Sequence, residues 1–165
     1  MTTHNITQYD FIGDIHGCFA ELHELLIQMG YVITPRDTQG FEAGFEVAHP
    51  EGRRVIFLGD LVDRGPATPQ VLSLAMSMVE QDRALCVCGN HDAKLLRALR
   101  GKRVTLNHGL DRSMAQLETC SQEFRGRVIR FLDGLLSHYM LDEGKLCVAH
   151  AGLREDLQGR ASGRV

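Results

Sequence analysis

The chain has 165 residues, which suits a single domain, and 44% apolar content, which provides for a real core filled by Leu, Val, Ile and Met in the absence of tryptophan. A formal charge of −3 argues against a dedicated nucleic-acid coat, and five scattered cysteines argue against a disulfide scaffold and for a reducing, cytoplasmic setting. Residues 1–10 carry neither an apolar h-region nor a basic start, and no apolar run approaches a membrane span, so neither signal peptide nor membrane partner is expected.

Residues 9–12 form a short apolar run that reads as a strand. Over 18–29, Leu22, Leu25, Leu26 and Met29 recur at helical spacing, with Gly30 as the stop. Residues 41–48 alternate like a strand, and Glu51-Gly52 would turn it into a second strand over 55–58. Thr68 before Pro69 reads as a helix N-cap with proline in the first position, and that helix should run to about Gln81. A buried strand follows over 84–87, then helical patterns over 94–99, 110–117 and 123–136. Residues 139–141 and 146–149 read as a hairpin around Asp142-Glu143-Gly144. Cys86-Val87-Cys88 is not a zinc spacing, and its thiols should be buried and inert. Strands alternating with helices make the class α/β, in which ligand sites gather outside the carboxyl ends of strands.

Four strings carry chemistry: Gly13-Asp14-Ile15-His16-Gly17, Gly59-Asp60-Leu61-Val62-Asp63-Arg64-Gly65, Gly89-Asn90-His91-Asp92 and His150-Ala151-Gly152. Each follows a strand pattern and offers oxygen or nitrogen donors of the kind divalent metals take. Asp14 and His16 are two residues apart, so extended backbone would point both to one side. The two oxygens of Asp60 could bridge a pair of ions, which together can activate a water and clamp phosphoryl oxygens in an in-line displacement. Arg64 offers a planar fork for phosphate. Asn90 offers a neutral amide oxygen. His91, its neighbour, should point elsewhere and suits a general acid, with Asp63 as the carboxylate that keeps its imidazole protonated. Singly, each string has a plainer reading as a turn or cap, Asp92 as the cap of the helix over 94–99 and His150 as a core histidine. The remaining histidines, His4, His23, His49, His108 and His138, are read as core or surface residues.

Taken together, these residues resemble the calcineurin-like metallophosphoesterase superfamily, and the Val62-Asp63-Arg64-Gly65 form looks like its phosphoprotein phosphatase branch. Two bacterial groups within it are similar nearly end to end: the phosphatase domain of polynucleotide kinase-phosphatase, an RNA-repair enzyme, and the PrpE-type bis(5′-nucleosyl)-tetraphosphatases. Gly89-Asn90-His91-Asp92 and the run from Arg64 to Pro69 look closer to the former. The resemblance implies a β-sandwich flanked by helices, in one domain over 1–165. It implies Asp14, His16 and Asp60 on a first metal, and Asp60, Asn90 and His150 on a second. Arg64, Asn90 and His91 would meet the phosphate, and His91 would protonate the leaving group with Asp63 orienting it. Manganese is the implied metal, with iron, zinc, nickel or cobalt compatible.

The superfamily carries a further Gly-His-Thr string after the His-Ala-Gly string, and no histidine follows His150 here. The expectation is therefore a domain incomplete at its C-terminus, lacking part of the second sheet, with a weakened second metal site and exposed apolar surface. The leading function is a metal-dependent phosphoric ester hydrolase acting on nucleotidyl or RNA-terminal phosphates or dinucleoside polyphosphates. Alternatives are a protein Ser/Thr phosphatase and an inactive fragment that only binds metal or phosphate; a kinase or ligase domain could belong to the parent protein. Lys94, Arg97, Arg100, Lys102, Arg103 and Arg112, against Asp111 alone, read either as a steering patch for a polyanion or as a solvated face.

Overall fold

The computed structural model describes residues 8–38 and 40–160; the readings of the first seven residues, His4 among them, and of the last five to Val165 lie outside these. Strand β1 (Tyr9–Ile12) leads into helix α1 (Phe19–Gln28), strands β2 (Val32–Pro35) and β3 (Phe45–Ala48) pair antiparallel, and strand β4 (Arg54–Phe57) leads into helix α2 (Thr68–Glu80). Strand β5 (Ala84–Cys86) is followed by helices α3 (Asn90–Leu99), α4 (Leu110–Glu118) and α5 (Gln122–Gly134), then by an antiparallel hairpin of β6 (His138–Leu141) and β7 (Leu146–Ala149).

β1, β4 and β5 form a parallel sheet in that order, with Phe57 opposite both Ile12 and Cys86. This register brings three carboxyl ends level, so the strings after each strand emerge side by side. Side chains alternate across the sheet. On one face Ile12, Val55, Phe57, Ala84 and Cys86 join the main core with residues of the helices. On the other, Ile56 packs with Val87 and Val148, rimmed by Tyr9, Leu85 and Tyr139. The architecture is mixed α/β, with helices on one face of the sheet and the β6–β7 hairpin on the other.

α2 is buried on nearly every side, as its run Val71-Leu72-Ser73-Leu74-Ala75-Met76 allows. Its polar residues complete a sheet edge: Ser77 Oγ accepts from the Phe45 amide at 3.0 Å and Gln81 Oε1 from the Val47 amide at 3.0 Å. Buried Asp10 on β1 accepts from the Tyr31 hydroxyl at 2.8 Å and from Arg53 Nε at 2.9 Å, with a second bond from Arg53 Nη2. The Arg53 guanidinium holds the Asp10 carboxyl below the usual carboxylate range against the opposing effect of burial.

Several sequence expectations are corrected. The strand expected over 41–48 begins only at Phe45; Phe41–Ala43 is a 3-10 turn, held by Ser73 Oγ on the Phe41 carbonyl at 2.5 Å and by the Phe41 ring edge-on to Phe124. β3 does not turn back onto the next strand. It pairs with β2, which the pattern did not suggest, while β4 crosses to β1. Thr68 lies inside α2, whose N-cap is Ala67, and its hydroxyl goes to Ser113 at 3.1 Å instead. α3 starts at Asn90 rather than Lys94, so the third string lies on a helical turn.

Candidate metal centre

Asp14 and His16 follow β1, Asp60 follows β4, Asn90 opens α3 after β5, and His150 follows β7. Asp60 is buried, with φ +52, and is held by its backbone. Its carbonyl accepts from the amides of Ile15 at 3.1 Å and His16 at 3.0 Å, which ties the first string to the second. Its Oδ1 accepts from the His91 amide at 3.0 Å. The third string comes so close that a Cβ on Gly89 would fall 2.1 Å from Asp60 Oδ1 and 2.2 Å from its amide nitrogen, so only glycine fits there.

Three histidines share one arrangement. His16 Nδ1 lies 2.9 Å from the Val62 carbonyl, His150 Nδ1 2.7 Å from the Leu58 carbonyl, and His91 Nδ1 2.7 Å from Asp63 Oδ2. Each partner is an acceptor, so in the neutral ring the proton sits on Nδ1 and Nε2 keeps its lone pair. All three Nε2 atoms converge on Asp60 Oδ2, at 4.0 Å for His16, 4.0 Å for His91 and 3.6 Å for His150. His16 Nε2 is buried and has no hydrogen-bond partner among the described residues. His150 Nε2 faces Asn90 Oδ1 at 3.1 Å, two acceptors with no proton between them in that tautomer. Imidazoles anchored through Nδ1, with Nε2 turned to a carboxylate, are donors prepared for a cation. Asp14 Oδ2 completes the ring, 3.6 Å from His16 Nε2.

The donors group as His16, Asp60 and His91, and as Asp14, Asp60 and His150, each within 4.8 Å. Asp60 is common to both; beside it the first group holds His91 where Asp14 was expected, and Asp14 lies with His150. His91, expected to point away from the donors, faces Asp60 with Nε2 and Asp63 with Nδ1. Asp63 is fully buried and its Oδ1 has no partner among the described residues, whereas Arg64 is exposed and places Nη2 3.5 Å from His91 Nε2. Asp63 and Arg64, adjacent in sequence, therefore do not form an ion pair at the surface.

Asp92 does more than cap α3. Its carboxylate accepts from the amides of Gly89 at 3.0 Å, Asp60 at 2.8 Å and Leu61 at 3.0 Å. Burial pushes its carboxyl up to about 6, against the lowering effect of those amides. Burial likewise raises Cys86 well above the ordinary thiol range and Cys88 to about 11, so these thiols are held protonated.

A cleft of about 1070 Å³ opens beside Asn90 and His150, with Lys94, Arg97 and Arg103 on its wall and Leu96, Val104, Leu135 and Leu136 within it. Of the other basic residues of that stretch, Arg100 pairs with Asp133 at 2.8 Å and Arg112 bonds the Arg64 carbonyl at 2.7 Å. Ser113 and Gln116, which position the second string from α4, escaped the sequence reading, since their partners are 50 and 51 residues away. His23, His49, His108 and His138 stay out of the donor groups; His138 Nε2 accepts from the Gly159 amide at 3.1 Å. No helix among the described residues is long and apolar enough to cross a membrane.

A bis(5′-nucleosyl)-tetraphosphatase PrpE from Anoxybacillus flavithermus is 38% identical over 95% of this chain and 62% of its own length. Another PrpE, from Halalkalibacterium halodurans, is 40% identical over 96% of this chain and likewise 62% of its own. The chain thus spans under two thirds of the curated relatives it matches. A protein serine/threonine phosphatase from Saccharomyces cerevisiae superposes with a TM-score of 0.63 over 96% of this chain and 42% of that one; at 18% identity this likeness shows the fold alone. The model of the family described as calcineurin-like phosphoesterase matches residues 8–159, and the chain belongs to that family.

Proposed function

We propose that this chain carries the active site of a metal-dependent phosphoric ester and anhydride hydrolase whose substrate is a dinucleoside tetraphosphate. The convergence of three anchored histidine Nε2 atoms on Asp60, with Arg64 alongside, carries the reading. Asp14, His16, Asp60, Asn90 and His150 would hold two divalent cations, Mn²⁺ first among them. When bound, such ions supply Lewis-acid polarisation of a phosphoryl group and acidification of a water. Arg64, exposed beside them, binds the phosphate through its planar fork. Asp63 fixes the His91 ring through Nδ1 and so aims Nε2, from which the doubly protonated ring gives its proton to the leaving oxygen.

The choice of substrate is supported by what the PrpE relatives are named for and by the cleft beside Asn90 and His150. Lys94, Arg97 and Arg103 there suit the phosphate chain of a polyanion, and the apolar residues suit a nucleoside. The test is product release with Mn²⁺ from diadenosine tetraphosphate, 3′-phosphorylated RNA, a phosphopeptide and an aryl phosphate. Diadenosine tetraphosphate should be turned over fastest, and Asp60→Ala should reduce every rate to background. Faster turnover of the RNA end or the phosphopeptide would overturn the substrate assignment, and no turnover of any of them the hydrolase reading.

A further inference from the structure

Asp63 and Arg64 occupy the left-handed region in succession, with φ of +73 and +62. Two adjacent non-glycine residues persist there only where the surroundings over-determine the backbone. One helix face supplies that constraint. Ser113 Oγ accepts from the Asp63 amide at 2.9 Å, Arg112 Nη1 donates to the Arg64 carbonyl at 2.7 Å, and Gln116 Nε2 donates to the Gly65 carbonyl at 3.1 Å. Gln116 Oε1 also accepts from the Thr68 amide at 2.8 Å, so the grip continues to the start of α2. Gly109, which caps α4, presses so close that a Cβ would lie 2.2 Å from the Arg64 nitrogen.

We infer that α4 is a positioning element for the chemistry at the second string. Ser113 sets where Asp63 enters the interior and so aims His91; Arg112 and Gln116 set where Arg64 leaves the turn. The consecutive left-handed residues send the two side chains opposite ways, Asp63 inward to His91 Nδ1 and Arg64 outward past His91 Nε2. Arg112, one of the basic residues of that stretch, belongs to this grip. The inference rests on the hydrolase reading for its kinetic consequences, and on the hydrogen bonds alone for its structural ones.

The test is a set of double-mutant cycles with alkyl and aryl phosphate monoesters at saturating Mn²⁺. Ser113→Ala should lower kcat on the alkyl ester about tenfold or more and on the aryl ester less than about threefold, since aryl leaving groups need little protonation. Ser113→Ala combined with His91→Ala should be no slower than His91→Ala alone. Gln116→Glu, which keeps an acceptor for Thr68 and loses the donor to Gly65, should raise KM several-fold with kcat nearly unchanged, and should add nothing to Arg64→Ala. Equal losses on both esters, or losses that multiply in the double variants, would overturn the positioning role. If the wild-type chain hydrolyses neither ester, amide exchange decides the structural part, and the hydrolase reading itself fails only if diadenosine tetraphosphate is also left intact. Exchange at Asp63 at least tenfold faster in Ser113→Ala, with Val87 unchanged, supports the grip; unchanged exchange at Asp63 overturns it.

Discussion

Asp92 lies in the first turn of α3 with its carboxylate closed around three backbone amides from two separate strings. Asp92→Ala leaves all three buried donors without a partner, and an unsatisfied buried N–H costs about 1–3 kcal/mol. The substitution should therefore cost at least ~2 kcal/mol in urea unfolding. It should also weaken Mn²⁺ binding in titration calorimetry, because the same amides fix Asp60 against Asn90. At this scale the candidate donors were legible: Asp14, His16, Asp60 and Asn90 each stand beside glycine after an apolar run, and His150 stands two residues before a glycine. Asp92 was legible only as a helix cap, since its other partners are 31 and 32 residues away. His91 was half legible. Its pairing with Asp63 followed from the need for an oriented acid, but not its approach to Asp60, which depends on where the turn of α3 lies.

Among the elements, β1 is held by more than its ladder. Asp10 joins it to Tyr31 ahead of β2 and to Arg53 ahead of β4, so one buried carboxylate fastens three segments. Arg53 lowers the folded-state pKa of Asp10 below its ordinary 3.8. The linked stability is therefore present above about pH 4 and is lost as pH falls through the folded-state value. Asp10→Asn should destabilise the chain at pH 6, and the gap between variant and wild-type urea midpoints should narrow steadily below pH 4. A constant gap would show that the pair is not the cause. β2 was missed because Val32–Pro35 alternates poorly and ends in proline; its strand character comes from pairing with β3. The same remoteness misled the reading of β3 and β4. A Glu51-Gly52 turn looks like a hairpin locally, while the parallel partner of β4 lies more than 40 residues earlier.

Across the whole molecule, the class and the placement of the strings at strand ends followed from alternating patterns alone, whereas the strand order had to come from the structure. The core is unequal on the two faces of the sheet. Helices bury one face deeply, and the β6–β7 hairpin covers the other through Ile56, Val87 and Val148, with the Cys88 amide on the Leu136 carbonyl at 2.8 Å. His150 rides on that lightly held hairpin. The donors at Asp60 come from residues 14 to 150, and apart from Asp14 and His16 no two of the five are near in sequence. An unfolded chain therefore has no such centre, and a cation taking it binds the native state alone. By linkage, a hundredfold excess over the dissociation constant adds about 2.7 kcal/mol. The melting temperature should climb with Mn²⁺ concentration in the wild type and stay flat in Asp60→Ala. The centre is thus a gauge as well as a site. Its occupancy counts the chains in which the sheet, α3 and the last hairpin are all in place at once, and a metal-sensitive signal would register the opening of that hairpin before the core itself gives way.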